Sequence, residues 1–299
     1  MMGGMKVRIG VGLGPHEDFI EAIDHAEALG IDSLWFSEVV FEQHIDPFVA
    51  MAYALARTSK LKVGTGVAVL PGRSPVLVAK QLASLAALAP KRVLPVFGLQ
   101  PARRPERQVF PAPRGQRGAL FDETMQVVRR LLTEDSVTFT GKFHTLDNAT
   151  IRPRPKRMDI WLGGSAQAGL ERTGRLADGW LGSFLTPGQT RLARRAIETA
   201  AQQAGREIEA DHYGISIALA TDGIPPRLLE AARARQPHID PAEVIPDSWE
   251  AAQELIERYI DAGLTKFVIR PAHDVTTIRP FLDDLVAKLK PLERDLAVS

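Results

Sequence analysis

The sequence predicts an α/β protein of the (β/α)8 TIM barrel class, in which a ring of parallel strands is surrounded by helices. Short apolar runs alternate with amphipathic segments along the chain, which is the pattern of strand–helix units. Eight such units can be counted, and that many parallel units in 299 residues indicate a closed barrel. Several apolar runs end in glycine, as expected where strands open onto a binding site.

The first four units are predicted from apolar runs and from residues that cap helices. The first helix, 17–30, is amphipathic and is closed by Gly30. The next two helices begin at about Asp46 and at Ser74-Pro75, because Asp and Ser cap helix starts and proline suits the first turn. The strands are 6–14, 32–38, 61–67 and 92–98.

The second half of the chain begins with a long amphipathic helix, 119–135, and a hairpin over 137–146. Four strands follow, each with a helix after it, and they complete the eight units. The strands are 159–164, 178–184, 212–220 and 266–271. The helices begin at Ser165 and span 187–205, 246–263 and 275–290.

Two Pro-rich stretches interrupt this alternation. We expect a single domain over residues 1–299, with insertion segments at approximately 99–118 and 222–246. The first segment carries five arginines opposed by Glu106 alone. It is either a solvated loop or a lid over an acidic ligand. The arginines are Arg103, Arg104, Arg107, Arg114 and Arg117.

Composition and charge limit the function classes. The chain is 45% hydrophobic and 24% charged with a formal net charge of +1, so no global field would gather nucleic acid or anionic lipid. It has no cysteines, which excludes disulfides, thiolate metal sites and thiol nucleophiles. No apolar leader or membrane span is seen, so we expect a cytoplasmic protein whose partner is a small molecule, not nucleic acid or a membrane.

The stretch Gly163-Gly164-Ser165 joins an apolar strand to a helix and has two interpretations. Bare backbone at a helix N-terminus offers free N–H groups to a phosphate. Alternatively, the glycines only make a tight turn and Ser165 caps the helix. The residues alone leave both open.

In a barrel the carboxyl ends of the strands form the active site. Here these ends are rich in glycine and poor in titrating groups, which favours a planar cofactor over a pair of hydrolytic acids. No histidine pair has the spacing of a metal site, and "GVGLGP" (10–15) lacks the spacing of a dinucleotide fingerprint. The strand ends are Gly12, Ser37-Glu38, Gly66-Val67, Gly98-Gln100, Gly163-Ser165, Gly182-Ser183, Ser216 and Arg270.

Glu38 and His44 are the candidate catalytic groups. A carboxylate that ends a barrel strand points into the mouth, and burial could raise its pKa toward use as a general acid. Equally, Glu38 could be a structural carboxylate paired with an arginine. His44 follows six residues later and either lines the same cavity or lies on the surface.

Several stretches together resemble the luciferase-like flavin and deazaflavin oxidoreductases. They are "GIDSLWFSE", "DPFVAMAYALARTSKLKVGTGV", "SPVLVAKQLASLAAL", "GQRGALFDETMQVVRRLLTED", "WLGGSAQAGLERTGRLADGW" and "LIERYIDAGLTKFVIRP". Together with "RVLPVFGLQP", they look most similar to members that use the deazaflavin coenzyme F-420. The resemblance implies a luciferase-like barrel that transfers a hydride between this coenzyme and a small organic substrate. An FMN-dependent monooxygenase and a deazaflavin-binding protein without turnover are the alternatives.

The resemblance also implies which residues hold the cofactor. A cis peptide at Gly66-Val67 would support the ring, and Gly163, Gly164 and Ser165 would hold the phosphate. Asp178, Gly179 and Trp180 would shape the adjoining wall, although Asp178 could instead only brace the turn before Gly179. Gly12 and Gly98 complete the predicted cofactor site.

The expected substrate and assembly follow in part from the same resemblance. An apolar pocket near Val39, Val40, Phe41 and Phe97 would suit a small, mostly apolar molecule. The arginine-rich segment is a plausible contact for the acidic tail of the deazaflavin. The proton would pass through Glu38, with His44 as the weaker candidate. Family members are commonly dimeric, so a homodimer is expected.

Overall fold

A computed structural model describes residues 5–296 and confirms the predicted barrel. Eight parallel strands pair in chain order, and the eighth returns to the first, with Val268 opposite Gly10. The fourth strand is interrupted at Pro95 and pairs with the third through Val93 and with the fifth through Val96, so the ring is closed. The strands are Arg8–Leu13, Ser33–Phe36, Lys62–Thr65, Val93–Leu94 with Val96–Gly98, Trp161–Gly163, Gly179–Ser183, Tyr213–Leu219 and Lys266–Pro271.

The helices surround this ring and begin where their caps predict. The Asp46 carboxylate accepts hydrogen bonds from the N–H groups of Phe48 and Val49, and Ser74 precedes Pro75 at the start of the third helix. The helices are α1 (Phe19–Ala28), α2 (Pro47–Arg57), α3 (Pro75–Leu88), α4 (Arg117–Thr133), α5 (Gln167–Leu176), α6 (Pro187–Gln203), α7 (Pro226–Arg235), α8 (Trp249–Asp261) and α9 (Arg279–Lys288). The five helices whose ends were both predicted finish two residues earlier than the sequence predicts; α1, α5, α8 and α9 start two to four residues later than predicted, whereas α4 starts two residues earlier.

Short additional strands lie at the two ends of the barrel. Val137–Thr140 and Thr145–Ala149 pair antiparallel, which confirms the predicted hairpin. Met5–Lys6 pairs with Asp295–Leu296, and Ala68–Val69 pairs with the end of the fourth strand. Three short 3-10 helices cover Arg104–Gln108, Pro241–Glu243 and Lys290–Leu292.

Two layers of apolar side chains form the core. The larger layer packs between the strands and the surrounding helices. A smaller cluster of strand residues fills the inside of the ring with Trp35, Val96, Trp161, Leu181 and Val268. Because this cluster plugs the ring, a ligand can enter only at one end.

A cluster of ion pairs lies at the amino end of the ring. Asp32 forms ion pairs with Lys62 (3.1 Å) and Lys266, and both Asp32 and Lys266 are almost fully buried. Burial opposes ionisation of Asp32, but the two ammonium groups hold the pKa of its carboxyl well below the usual range. The paired charges therefore belong to the support of the barrel and lie away from its mouth.

The second insertion segment differs from the sequence prediction. The Pro-rich stretch 222–246 contains helix α7, and the N–H of Ala220 donates to the carbonyl of Pro246 (2.8 Å), which ties the two ends of the segment together. Residues 1–4 and 297–299 of the predicted single domain lie outside the described residues, and its extent stays a prediction. None of the helices described combines the length and the apolar character needed to cross a membrane.

Candidate active site

A cavity of about 1080 Å³ opens at the carboxyl ends of the barrel strands. Its walls contain nine of the twelve residues that the sequence predicts for the site. These are Gly12, Glu38, His44, Gly66, Val67, Gly98, Gly163, Gly164 and Ser165. The structure therefore brings most of the predicted residues together in one place.

Asp178, Gly179 and Trp180 do not line the cavity, so their predicted place in its wall is wrong. Asp178 and Gly179 lie at the amino end of the sixth strand, on the opposite side of the barrel from the mouth. The Asp178 carboxylate pairs with Arg129 (2.7 Å) and Arg206 (3.2 Å), which matches the interpretation that it braces the turn. Trp180 is buried, and its indole N–H donates to the carbonyl of Gly164 (2.8 Å) from behind the wall.

The glycines at the ends of the fourth and fifth strands make room beside Val67. A Cβ on Gly98 would lie 2.8 Å from one Val67 methyl group, and a Cβ on Gly163 would lie 3.0 Å from the other. Gly164 has φ +114°, a conformation that side chains strongly disfavour, and no atom lies within 4 Å of where its Cβ would be. The chain here therefore presents open backbone to the cavity.

Ser165 does not cap the helix that follows it. Helix α5 begins at Gln167, its N-cap is Ala166, and no side chain accepts a hydrogen bond from its first turn. The interpretation of Gly163-Gly164-Ser165 as a serine-capped turn is therefore wrong. Helix α5 has ten residues, its N-terminus carries no side-chain cap, and open backbone precedes it. The free N–H groups of such a helix start have the geometry that binds a phosphate.

The peptide bond between Gly66 and Val67 is cis, as predicted. Two hydrogen bonds hold it at the floor of the cavity. The Gly66 N–H donates to the carbonyl of Phe36 (2.8 Å), and the Ser37 hydroxyl donates to the carbonyl of Gly66 (3.1 Å). Val67 is thereby fixed between the glycines of the fourth and fifth strands.

Glu38 lies on the cavity wall, but both of its oxygens are engaged. The N–H of Val69 donates to one oxygen (2.7 Å), and Arg73 forms an ion pair with the other. The side chain is only 4% exposed, and burial raises the pKa of its carboxyl although Arg73 opposes the shift. These contacts match the interpretation of Glu38 as a structural carboxylate paired with an arginine.

His44 also lines the cavity, beside a histidine that the sequence analysis did not single out. Its Nδ1 is buried and has no hydrogen-bond partner in the part of the chain that the structure describes. Burial lowers the pKa of the His44 imidazole, while the Asp274 carboxylate acts in the opposite direction. The neighbouring residue is His16. The Gly14 N–H donates to Nε2 of His16 (3.0 Å), so Nδ1 of His16 carries the proton and donates to the carbonyl of Val275 (2.8 Å). His16 is thus fixed, whereas His44 keeps a free ring nitrogen.

The arginine-rich segment closes over the cavity only in part. Arg103 and Arg107 line the cavity, and the other three of its arginines do not. Arg103 forms an ion pair with Glu42, which also pairs with Arg227 (3.0 Å) of α7. Glu106 is buried and accepts hydrogen bonds from the N–H groups of Val40 and Phe41. The side chains of these two residues are exposed and do not line the cavity. Of the predicted apolar pocket, only Val39 and Phe97 line it.

The sequence analysis missed the cationic residues of helix α7 because it predicted 222–246 as an insert without assigning it a helix. Arg227 and Arg235 reach the cavity from this helix, and Ser216 and Arg270 meet them from the seventh and eighth strands. Outside the cavity, Glu209, Asp211 and His212 bring three potential metal ligands within 4.8 Å of one another. Glu209 already pairs there with Arg157 and His212.

Comparison with known proteins places this site in context. The luciferase-like monooxygenase family model matches residues 5–268. A protein of Mycobacterium tuberculosis is 33% identical over 182 residues, which cover 60% of the chain and 62% of that relative. An F-420-dependent glucose-6-phosphate dehydrogenase of Kineococcus radiotolerans is 26% identical over 89% of the chain and 91% of its own length.

Solved structures share the fold at lower sequence identity. An F-420-dependent secondary alcohol dehydrogenase in complex with an F-420–acetone adduct superposes with a TM-score of 0.76 at 20% identity. It covers 97% of the chain and 100% of its own. The oxygenating constituent of 3,6-diketocamphane monooxygenase from a Pseudomonas putida plasmid, in complex with FMN, has a TM-score of 0.72 at 15% identity and covers 98% of each chain.

Proposed function

The chain belongs to the luciferase-like monooxygenase family, and from this membership we propose that it is an oxidoreductase dependent on coenzyme F-420. The observation that carries the proposal is the open backbone of Gly163 and Gly164 at the uncapped start of α5, beside the cis peptide Gly66-Val67. This arrangement has room for a phosphate and a flat ring. Relatives and structural neighbours named as F-420-dependent support the choice of the deazaflavin.

Each part of the cavity wall has a role under this proposal. The backbone of Gly163, Gly164 and Ser165 would hold the phosphate, and Val67 with Gly98 would contact the ring. When bound, the deazaflavin supplies the carbon that gives or accepts a hydride. The chain contributes the fixed position of the reactants.

We assign the accompanying proton to His44. A carbonyl reduced by a hydride at carbon takes up a proton at oxygen, and the reverse reaction releases one. The buried Nδ1 of His44 is free to bind that proton, whereas both oxygens of Glu38 are engaged by Val69 and Arg73. Glu38 then acts as a positioning residue for the loop that follows the cis peptide.

Two alternatives remain, and a specific observation supports the first. The FMN complex of a monooxygenase with the same fold supports FMN and oxygen chemistry at this site. A deazaflavin carrier without turnover would need the same cradle and no proton-transferring group. Binding and turnover experiments separate the three functions.

We also propose that the protein is a cytoplasmic homodimer that pairs through α2 and α3. These helices expose four large hydrophobic side chains, Val49 (60% exposed), Tyr53 (38%), Leu77 (65%) and Leu88 (75%). Such side chains on neighbouring helices suit a partner surface. Light scattering of the purified protein, with Leu88→Lys as the variant, tests this: a monomeric native protein contradicts it.

The test of the main proposal is a titration of the protein with coenzyme F-420 and, separately, with FMN, followed by tryptophan fluorescence. We expect tight binding of the deazaflavin alone. Gly163→Ala should weaken this binding, because the new methyl group meets Val67 at 3.0 Å. Gly188→Ala is the matched control, since Gly188 lies in the first turn of α6 and its nearest atom is 3.9 Å from the new methyl group. Binding of neither cofactor overturns the proposal, and binding of FMN alone replaces it with the monooxygenase.

A further inference from the structure

The wall of the cavity is more cationic than the chain as a whole. Six arginines line it against three carboxylates, whereas the formal net charge of the chain is only +1. Two of these carboxylates already have cationic partners: Glu42 pairs with Arg103 and Arg227, and Glu38 pairs with Arg73. The remaining positive charge therefore has to be balanced by a ligand or by water.

Arg270 is a half-buried cation of this wall. It lies near the end of the eighth strand, and its Cβ is 3.2 Å from the place that a Cβ on Gly12 would occupy. Because Gly12 has no side chain, the aliphatic part of the Arg270 side chain can cross the end of the first strand. In the described range 5–296, the charged group that acts on it is another cation, Arg235, and burial with this repulsion lowers the pKa of the Arg270 guanidinium.

Arg235 is aimed at the same region by an aromatic ring. It is the last residue of α7, and its guanidinium lies 5.0 Å from the centre of the Phe184 ring. Phe184 follows the sixth strand with φ +55°, a conformation that is unfavourable for an aromatic residue. Its ring packs against a cluster that includes Ala232 and Ile245. Such a strained residue, held by packing, fixes the position of Arg235 above the mouth.

Ser216 adds a neutral donor beside the two cations. Its hydroxyl is buried and has no hydrogen-bond partner among the described residues, although it lines the cavity. Ser216 lies two residues before Ala218, and Ala218 pairs directly with Arg270 in the neighbouring strand. Residues two apart share a face of a strand, so the hydroxyl and the guanidinium both face the interior of the barrel mouth. A buried hydroxyl without a partner costs free energy that a ligand can recover.

We infer that Arg270, Arg235 and Ser216 form an anion subsite, so that the substrate is an organic molecule carrying a carboxylate, sulfonate or phosphate group. This inference rests on the proposed function, because it assigns the cofactor to the opposite wall. Guanidinium groups bind such anions through paired hydrogen bonds. The subsite also replaces the expected small, mostly apolar substrate, since of the predicted apolar pocket only Val39 and Phe97 line the cavity.

The substrate, and not the acidic tail of the cofactor, is the occupant that the geometry favours. In coenzyme F-420 the phosphate separates the ring from the tail. A phosphate at Gly163-Ser165 therefore starts the tail at the fifth strand, where Arg107 and Arg172 line the cavity. Arg270 lies three strands further round the ring, on the eighth strand.

The first experiment measures sulfate binding by calorimetry at constant ionic strength, with and without saturating coenzyme F-420. With the cofactor bound, its phosphate site is filled, and we expect one sulfate site to remain. Arg270→Met should weaken that site about 10- to 100-fold, the loss typical of a hydrogen-bonded charge. Arg235→Met, at the rim, tests the subsite independently if Arg270→Met folds poorly. Arg233→Met is the control, because Arg233 lies on the same helix and does not line the cavity.

The second experiment compares a 2-oxo acid with its methyl ester as acceptors for the reduced cofactor. We expect Arg270→Met to raise KM for the acid much more than for the ester. Residual sulfate binding that Arg270→Met and Arg235→Met leave unchanged marks an adventitious ion only and overturns the inference. Weaker cofactor binding in Arg270→Met would instead assign the subsite to the acidic tail, which also overturns it. Failure of the cofactor itself to bind is a separate result, which overturns the proposed function.

Discussion

Removing Arg73 leaves a buried carboxylate without its cation, and the cost can be worked from the contacts. Glu38 is 4% exposed and keeps only the N–H of Val69, so Arg73→Met should reduce the free energy of unfolding by about 3 kcal/mol, the lower end for a broken buried pair. Glu38→Gln should cost less, about 1–2 kcal/mol, because the Arg73 side chain is 22% exposed and water can solvate it.

The double variant separates the ion pair from its parts. Arg73→Met with Glu38→Gln buries no unpaired charge, so we expect a loss of about 2 kcal/mol instead of the sum of the two single losses. The assay is urea unfolding of the four proteins at about pH 7. Losses that add within about 0.5 kcal/mol would refute the pairing.

The pH dependence provides a second test of the same pair. Without Arg73, burial raises the folded-state pKa of Glu38 above its unfolded value of about 4.5. A carboxyl with a raised pKa stabilises the folded state below the unfolded value and loses this contribution as the pH rises. The deficit of Arg73→Met in the free energy of unfolding should therefore shrink from pH 7 to about pH 5.

If Glu38→Gln abolishes turnover while cofactor binding and stability remain near native, Glu38 is the acid and our assignment to His44 is wrong.

Three further predictions concern Gly164, Glu27 and the cap of α2. Gly164→Ala should lower Tm by about 2–4 °C and weaken cofactor binding, because φ +114° is costly for alanine; unchanged binding in the fluorescence titration would contradict the open-backbone argument. Burial opposes ionisation of the Glu27 carboxyl, but hydrogen bonds from Ser59 and Leu61 lower its pKa to about 2. Glu27→Gln should therefore reduce the free energy of unfolding by about 1 kcal/mol at pH 7. In urea titrations the difference in the free energy of unfolding should vanish as the pH falls from about 4.5 toward 2. A difference that stays constant would show that the ionised Glu27 carboxylate is not its cause. Asp46→Ala removes the cap of α2 and should cost about 1 kcal/mol in thermal unfolding, whereas an unchanged Tm would show that the cap is dispensable.

The barrel was predictable because its signals are local. Caps such as Asp46 and Ser74-Pro75 act within one helical turn, and apolar runs of four to seven residues specify their own strands. Helix α7 was missed because it lies in a Pro-rich stretch, where proline at the helix start resembles a loop signal. The predicted C-terminal ends of the helices were two residues too long because fraying turns keep the same composition as the helix.

The candidate site was only partly predictable, since its contacts join distant parts of the chain. Glu38 and Arg73 are 35 residues apart, and nothing in the sequence ties one to the other. The strand ends could be listed, but the place of Asp178 in the cavity wall came from the family resemblance, and Asp178 precedes the amino end of its strand, away from the mouth. The free nitrogen of His44 and the crossing of Arg270 over Gly12 depend on packing that only coordinates show.

The hydrogen bond from Ala220 to the carbonyl of Pro246 means that segment 222–246 leaves the barrel and returns to it at a single point. The residues proposed to hold the cofactor lie at or just beyond the ends of barrel strands, whereas Arg227 and Arg235 are carried by this segment. Under the proposed function, changes confined to this one stretch of chain would alter two of the six arginines of the cavity, while the residues that hold the cofactor stay the same.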